Sequence, residues 1–380
     1  MRLWNDWFSA GVRVGLSGCL AAMLLACSNT PSRPQPSELP PSPGLFKMQP
    51  VWSVKLSAVN FPLDVRVRGE TVAVAASDGT VLVLDARTGA DVWRASAGAG
   101  LSAGVGFDGR LAAVVTRDNE LVVIDSGREL WRHRMTVNSL TAPLVAGGRV
   151  FVLGADRSVQ AFDGQSGRRL WSQQRPGEAL VLRQTGVLLP VGDTLVAGLG
   201  GRLVGLHPLN GSVRWEAPIA SPRGTNDVER LVDLVAPVSR EGSVVCARAF
   251  QAAVGCVDAD RGTLQWTKPA SGYQGVHGDA GAVLGVEAND TLVAWRRADG
   301  ERLWSQEGLR YRGLSAPLLM DRAVVVGDGN GVLHFLSRED GAYLGRVAVG
   351  SVALASAPVR AGQTLVVVTR SGEISGLRSE

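Results

Sequence analysis

The sequence predicts an all-β protein, an eight-bladed β-propeller made of four-stranded antiparallel blades. Two observations lead to this prediction. A Gly-x-x-x-Trp string recurs at intervals of about 40 residues, a period typical of propeller blades. Each interval also holds four short apolar segments separated by turn residues, and helical periodicity is hard to find after the N-terminal segment.

The tryptophan repeat fixes the number of blades. Six strings match in register and end at Trp93, Trp131, Trp171, Trp215, Trp266 and Trp304. A seventh repeat, at Gly341–Gly345, lacks the tryptophan. An eighth is represented by Trp52, which has no glycine four residues before it. We expect each tryptophan to wedge between neighbouring blades, with the glycine allowing a tight turn.

Strand character and chain order predict how the ring closes. Strand cores such as Thr80–Asp85 are nearly continuously apolar, as in strands buried on both faces. The array begins with a lone tryptophan strand, Trp52–Lys55, and the last set ends at Leu377 without one. The N-terminal strand is therefore predicted to complete the final blade and to cover its open edge.

Residues 1–26 are predicted to be a signal peptide for export. The apolar run Val14–Ala26 is too short to span a bilayer but suits the core of a secretory signal. It ends in Leu24-Leu25-Ala26-Cys27, which resembles the lipobox of bacterial lipoproteins, so Cys27 is the predicted lipidation site. An ordinary signal peptide with a buried cysteine is the alternative, and Cys19 ends a second, weaker string.

The segment after the lipobox predicts the subcellular location and an extended linker, the tether. Bacterial lipoproteins retained in the inner membrane typically carry Asp after the lipidated cysteine, and this chain has Ser28. The predicted location is therefore the periplasmic face of the outer membrane, through a lipid anchor. Residues 27–50 are rich in proline and predict a semi-extended tether reaching on the order of 70 Å. The propeller is predicted to span residues 51–380.

Charge and histidine spacing exclude several function classes. The net charge of +4 is spread along the chain without a basic patch, which argues against a nucleic-acid partner. No metal-ligand spacing is found around His133, His207, His277 and His334. We therefore predict no metal site and no cofactor.

One string resembles a catalytic motif. Gly100-Leu-Ser102-Ala-Gly104 matches the Gly-x-Ser-x-Gly pattern of serine hydrolases, which requires a strand-to-helix elbow. The same repeat register holds Ser315-Ala-Pro317 and Ser356-Ala-Pro358. Ser102 is therefore interpreted as a repeat position, and no catalytic residue is predicted.

Two inter-blade segments are longer than the others and predict a binding surface. They are Arg175–Gly186 and Ser221–Val235, and connections of one type project from one face of a propeller. Arg183 and Asp233 occupy equivalent repeat positions in these segments, which predicts opposite charges side by side on adjacent blades. A plain inter-blade salt bridge is the alternative to a docking site.

Cys246 and Cys256 flank a predicted hairpin turn near Gln251. A three-residue turn would set them directly opposite, within cross-strand reach, and the periplasm is oxidising. The sequence leaves open whether they form a disulfide or stay as two reduced core thiols.

The extended repeat carries a family resemblance. The pattern Asp-x-x-x-Gly-x-x-x-Trp, at Asp85–Trp93, Asp163–Trp171 and Asp258–Trp266, resembles the repeat of pyrroloquinoline-quinone propellers. Quinoprotein dehydrogenases and the BamB lipoproteins of the outer-membrane β-barrel assembly machinery share it. The dehydrogenases are much longer and hold their cofactor with a Ca²⁺ site and an adjacent cysteine pair, which this chain lacks. The lipobox, the length and the single irregular region favour the BamB family, over nearly the whole chain from Val51.

This resemblance implies a function and a set of contact residues. BamB proteins are non-catalytic scaffolds that bind BamA within the assembly complex and assist insertion of outer-membrane proteins, so unfolded outer-membrane proteins are further expected partners. In that family a Leu-x-Leu-Arg string and an Asp-x-Asp pair contact BamA. Leu180, Leu182 and Arg183 match the string and Asp233 matches the first acid, whereas Val235 replaces the second. A periplasmic quinoprotein-like enzyme and a polysaccharide-binding propeller are the alternatives.

Overall fold

Eight four-stranded antiparallel sheets form the blades of a propeller in the computed structural model. The structure describes residues 34–174, 181–222, 225–226 and 230–379. The regular secondary structure of these residues is entirely β, and the predicted fold class is confirmed. None of the described residues belongs to a helix long and apolar enough to cross a membrane.

The strands are numbered in chain order, and each blade follows that order from the axis outward. Blade 1 holds β2 (Arg66–Arg68), β3 (Thr71–Ala75), β4 (Thr80–Asp85) and β5 (Asp91–Ser96); blade 2 holds β6 (Gly106–Phe107), β7 (Leu111–Val115), β8 (Glu120–Asp125) and β9 (Arg128–Arg134); blade 3 holds β10 (Leu144–Ala146), β11 (Arg149–Leu153), β12 (Val159–Asp163) and β13 (Arg169–Gln173). Blade 4 holds β14 (Leu188–Val191), β15 (Thr194–Leu199), β16 (Arg202–Leu206) and β17 (Val213–Pro218); blade 5 holds β18 (Leu234–Glu241), β19 (Val244–Ala249), β20 (Ala253–Asp258) and β21 (Thr263–Pro269); blade 6 holds β22 (Val276–Gly278), β23 (Ala282–Val286), β24 (Leu292–Arg296) and β25 (Arg302–Gln306). Blade 7 holds β26 (Leu318–Met320), β27 (Ala323–Gly327), β28 (Val332–Ser337) and β29 (Tyr343–Ala348); blade 8 holds β30 (Val359–Ala361), β31 (Thr364–Val368), β32 (Glu373–Ser379) and, outermost, β1 (Met48–Lys55).

The antiparallel order separates the connections onto two faces. Because consecutive strands reverse direction, the inter-blade loops emerge on the same side as the turns between second and third strands. We call this side the loop face. The opposite side, the turn face, carries the turns between first and second strands and between third and fourth strands.

The middle strands of each blade form the core. In blade 1, Val72–Ala75 of β3 and Val81–Leu84 of β4 are almost wholly buried, whereas β5 alternates exposed and half-buried residues. Middle strands are covered on both sides because neighbouring blades pack face to face. The nearly continuous apolar runs in the sequence reflect this packing.

Each tryptophan of the repeat packs against a turn of the next blade. A Cβ atom added to Gly89 of blade 1 would lie 2.7 Å from the ring of Trp52, and the φ angle of Gly89 is +73°. Trp52 Nε1 donates a hydrogen bond to Ala86 O in the same turn, at 2.8 Å. Glycine leaves room for the indole and adopts this backbone angle without strain. We call this contact the Trp–Gly interlock.

The interlock recurs around the ring. An added Cβ would lie within 2.3–2.7 Å of the preceding tryptophan in five further pairs: Trp131–Gly167, Trp171–Gly211, Trp215–Gly262, Trp266–Gly300 and Trp304–Gly341. Four more indoles donate to carbonyls of the next blade: Trp131 to Gly164, Trp171 to Pro208, Trp266 to Arg297 and Trp304 to Arg338. The Trp93–Gly127 contact is looser, at 3.3 Å, because the turn that contains Gly127 is shorter than the others.

The N-terminal strand closes the ring. β1 pairs with β32 from Met48 opposite Ser379 to Lys55 opposite Glu373. Blade 8 therefore combines one strand from the beginning of the folded body with three strands from its end. The predicted closure is confirmed.

The junction between blades 7 and 8 uses a different side chain. Gly345 stands where blade 7 would carry its tryptophan, and no turn connects β32 to β1. Phe46 packs in this region, with its ring centroid 5.0 Å from that of Phe335, and Phe46 O would lie 2.7 Å from a Cβ at Gly345. An aromatic side chain from another part of the chain thus replaces the missing tryptophan.

Residues 37–47, which we call the strap, lie against blade 7 and against the end of blade 6 with the connection that leads from it into blade 7. Ser37 N donates to Arg310 O at 3.0 Å, and Leu45 N donates to Leu344 O at 2.9 Å. Arg346 Nη1 donates to Pro40 O at 3.0 Å. Part of the segment assigned to the tether by its composition therefore contacts the folded body. Backbone carbonyls, which composition does not report, provide much of this contact.

A buried polar network orients the arginine that holds the start of the strap. Arg312 Nη1 donates to Ser37 O at 2.9 Å, and its Nη2 contacts Asp328 Oδ2 at 2.9 Å. His334 Nε2 lies 3.1 Å from the same oxygen. Burial alone would raise the pKa of Asp328, but hydrogen bonds from His334, the Val332 amide and Arg312 lower this pKa to about 2. The carboxylate therefore stays ionised at neutral pH and fixes the guanidinium.

Cys246 and Cys256 lie directly opposite each other in β19 and β20. The turn between these strands has three residues, and the φ angle of Gln251 at its centre is +50°. The structure joins the two sulfur atoms in a disulfide, with the Cα atoms 3.9 Å apart. Both cysteines are fully buried between blades.

The interlock predicts a position-specific cost of adding one methyl group. Gly167→Ala would place a Cβ against Trp131, whereas Gly148→Ala has nearly the same positive φ but nothing within 4 Å. Both variants bear the backbone cost of a left-handed alanine. We expect Gly167→Ala to lose about 1–3 kcal/mol more free energy of unfolding, because of overpacking. Urea denaturation of both variants checks this, and equal losses would contradict the steric role of the interlock.

Candidate functional site

The two long inter-blade segments meet on the loop face. The first precedes β14 of blade 4 and the second precedes β18 of blade 5. An isolated bridge pairs Gly186 with Val235, and Ala236 N donates to Thr185 O at 2.9 Å. The segments of adjacent blades are therefore joined where they enter their blades, as the shared register predicts.

Asp233 is the residue that ties this region together. Its Oδ1 accepts a hydrogen bond from Arg157 Nη2 at 3.1 Å, and its Oδ2 accepts one from the amide of Leu182 at 3.1 Å. The side chains of Asp233 and Arg157 are only 15% and 16% exposed. Asp233 O also accepts from Phe250 N. One residue thus connects a turn of blade 3 with the segments that lead into blades 4 and 5.

Asp233 does not form the inter-blade salt bridge with Arg183 that was the alternative to a docking site. The sequence register places Arg183 beside Asp233, but the ion pair in the structure is with Arg157. Arg157 lies in the loop-face turn between β11 and β12, with a φ of +61°, and reaches over the first long segment. Equivalent repeat positions predict where two residues lie in their blades. They do not predict the direction of a side chain in a long loop, because this direction depends on the nearest buried partner.

Arg183 is left exposed by this arrangement. Among the residues that the structure describes, its guanidinium has no hydrogen-bond or ion-pair partner. It borders the central cavity, beside Gln184 and Thr185. An arginine without an internal partner keeps its planar set of donors available for a carboxylate from another molecule.

Leu182 is half-buried rather than an open apolar anchor. It lines a small depression on the loop face together with Leu140, Leu153, Leu234 and Val235. Leu180, the other predicted leucine contact, lies outside the described residues. The same limit applies to Cys27. The apolar part of the described site is therefore a shallow depression beside Arg183.

Val235 replaces the second acid of the Asp-x-Asp pattern, and the burial of this position accounts for the replacement. Its side chain is 1% exposed and packs in the core of blades 4 and 5, close to Leu234. An ionised carboxylate buried there would need compensating partners. In this chain position 235 contributes packing, and Asp233 supplies the acidic group of the pattern.

Arg157 is the residue that sequence reasoning missed. It lies in the string Gly154-Ala-Asp-Arg157-Ser, a tight turn like those of other blades. The sequence feature that could have pointed to Arg157 was a long cationic side chain in a tight turn next to one of the two long segments. Only the fold shows that this tip reaches the segment before blade 5, 76 residues away in sequence.

The other candidate residues have structural roles. Ser102 is buried and its Oγ donates to Ser139 O at 2.8 Å, which joins the segments that lead into blades 2 and 3. His334 belongs to the buried Asp328 network. Across the described ranges no cluster of three or more metal-ligating side chains is found.

The sequence is similar to a family of known proteins. A family profile described as "Outer membrane protein assembly factor BamB" matches residues 77–306. A protein of this name from Burkholderia pseudomallei is 37% identical over 95% of this chain and 96% of its own length. Another from Bordetella pertussis is 36% identical over 98% of this chain and 97% of its own length.

The fold has a solved counterpart. The crystal structure of BamB from Moraxella catarrhalis superposes with a TM-score of 0.80. The superposition covers 87% of this chain and all of that chain, at 23% sequence identity. At this identity the likeness concerns the fold.

The contacts of Asp233 predict a measurable energetic coupling. Arg157→Gln and Asp233→Asn should be non-additive in a double-mutant cycle, with a coupling of about 0.5–3 kcal/mol in the free energy of unfolding. The matched cycle of Arg183→Gln with Asp233→Asn should give a coupling near zero, since these side chains do not interact. Denaturant unfolding of the single and double variants measures both. A larger coupling for Arg183 would restore the register-based pairing.

Proposed function

Because the chain belongs to the family of the outer membrane protein assembly factor BamB, we propose that it is a non-catalytic scaffold of the β-barrel assembly complex. In this proposal it binds BamA and assists folding and insertion of outer-membrane proteins. The comparisons do not favour the quinoprotein-like or polysaccharide-binding alternatives.

The observation that carries the proposal is the exposed Arg183 beside the Leu182 depression on the loop face. Asp233 neutralises Arg157 and holds the Leu182 amide, so it fixes the backbone that presents Arg183. A rigid support reduces the ordering cost of binding. A partner would bring an acidic group to Arg183 and an apolar side chain to the depression, the combination typical of an interface hot spot.

The proposed location is the periplasmic face of the outer membrane, through a lipid on Cys27. The names of the relatives support an association with outer-membrane assembly. The lipobox string Leu24-Leu25-Ala26-Cys27 supports the anchor. Unfolded outer-membrane proteins are proposed as transient partners, which could pair with the exposed outer edges of blades.

The docking proposal predicts that charge reversal at Arg183 removes BamA without unfolding the propeller. Arg183→Glu should keep the wild-type melting temperature, because Arg183 has no partner among the residues that the structure describes, and should lose BamA in co-purification of the tagged protein from membranes. A hot-spot residue of this kind contributes about 2 kcal/mol or more to binding. Leu182→Ala should weaken the same complex.

Arg302→Glu is the matched control, since Arg302 is exposed on the outer strand β25. It should retain BamA. Asp233→Ala should reduce both stability and BamA binding, because it releases Arg157 and the Leu182 amide together. Wild-type recovery of BamA with Arg183→Glu would move the interface to another part of the propeller.

The anchor proposal predicts the fate of a cysteine variant. Cys27→Ala should abolish acylation and leave the protein unprocessed or outside the outer-membrane fraction, because the thiol that accepts the lipid is gone. Metabolic labelling with a fatty acid and membrane fractionation measure this. Continued acylation with unchanged fractionation would rule out Cys27 and make Cys19 the candidate.

A further inference from the structure

A large cavity runs along the axis of the propeller. Its volume is about 900 Å³, within the range of ligand-binding cavities. All three residues of β2, Arg66–Arg68, line it, as do Arg183 and Arg370. Arg68 precedes a turn-face turn, whereas Arg183 and Arg370 lie in loop-face connections. The cavity therefore extends along the inner strands from one face towards the other.

The charge of the cavity is strongly positive. Among the described residues, its lining contains five arginines, at positions 66, 68, 183, 360 and 370, against one carboxylate, Asp64. Burial, followed by the nearby Arg297, lowers the pKa of the lining His277 to about 4, so this ring is neutral at pH 7. The whole chain has a net charge of only +4. The lining thus carries an excess of positive charge equal to that of the whole sequence.

Two of these arginines have internal carboxylate partners and three do not. Arg66 contacts Asp64 at 2.7 Å, and Arg360 contacts Asp321 at 2.7 Å. In the described parts of the chain, Arg68, Arg183 and Arg370 have no carboxylate within ion-pair distance. All three are exposed to the cavity or its mouths. Concave walls of one charge sign attract and concentrate ligands of the opposite sign.

The rest of the lining favours a polypeptide over a simple anion. Gln184 and Gln274 offer amide groups that can both donate and accept, which suits peptide backbone. Leu319 and Ala355 are half-buried at the wall and offer apolar contact. An inorganic phosphate ligand would use the arginines and the amide N–H donors but would make no use of the apolar contacts. A short acidic segment in extended conformation would use all three kinds of group.

We propose that the central cavity is a second binding site, which takes an acidic, extended peptide segment through Arg68, Arg183 and Arg370. This inference goes beyond the proposed docking of BamA at the loop face, with which it shares Arg183 and the neighbouring Gln184 and Thr185. The carboxylates of the peptide form bidentate hydrogen bonds with the guanidinium groups, and its backbone pairs with the glutamine amides. Binding weakens as salt concentration rises, because the mouths of the cavity are open to solvent.

Fluorescence anisotropy with the whole purified protein tests the proposal. The probe is a labelled peptide of alternating Asp and Leu, compared with the same peptide carrying Lys in place of Asp and with inorganic pyrophosphate as competitor. The acidic peptide should bind and the lysine peptide should not. Arg68→Gln/Arg370→Gln should raise the dissociation constant by about tenfold or more, the effect expected from losing charge-assisted hydrogen bonds. This double variant should still recover BamA, which separates the cavity from the docking surface.

The matched control is Arg128→Gln/Arg302→Gln, which removes the same charge from two exposed positions on the outer strands β9 and β25. It should leave the affinity for the acidic peptide unchanged. An equal loss in both double variants would show non-specific attraction and overturn the proposal. Absence of acidic-peptide binding, or complete displacement by stoichiometric pyrophosphate, would also overturn it, the latter in favour of a phosphate ligand.

Discussion

The Trp–Gly interlock is the contact on which the rest of the propeller depends. Each blade is a small sheet that could not bury its apolar faces alone, and blades 1 to 7 each offer a glycine turn to the indole of the blade before them. The contact sets the relative position of two blades, because the indole enters one cleft and, at five of these junctions, also donates to one carbonyl of the next blade. Once neighbouring blades are held in this way, the middle strands are covered on both sides and the loops of adjacent blades come together on one face. The site that we assign to partner binding is a consequence of that spacing.

Much of this fold could be predicted because the glycine and tryptophan residues that form the interlock recur in the sequence at a nearly fixed interval. The tryptophans gave the blade number, and the lone Trp52 strand gave the closure, since a ring with one missing outer strand has one place for it. The strap could not be predicted from its prolines. Its contacts join the backbone carbonyls of Ser37 and Pro40 to arginines 275 and 306 residues away, and composition contains no information about such pairs.

The location of the candidate site was predicted from the sequence, but its hydrogen bonds and ion pairs were not. The two long segments, Arg183 and Asp233 were found, because length and register are properties of the repeat. The pairing of Asp233 with Arg157 was not, because the hydrogen bonds of a buried carboxylate are decided by the three-dimensional path of the loops. The result is a division of roles: Asp233 supports the backbone, and Arg183 remains available. Val235 fits the same division, since its side chain is committed to the core.

The strap also changes how the propeller would respond to a mechanical load. In a ring closed by its N-terminal strand, tension on the N-terminal side would act directly on β1 and could strip it from β32, opening blade 8. Here a force applied at Ser37 first meets Arg312, which the buried Asp328 holds, and then Arg346 and the Phe46–Phe335 contact. These attachments belong to blade 7 or to the connection that leads into it, so the load enters the ring at a blade whose four strands are consecutive in sequence. The strap attachments therefore bear the load before it reaches the pairing of β1 with β32.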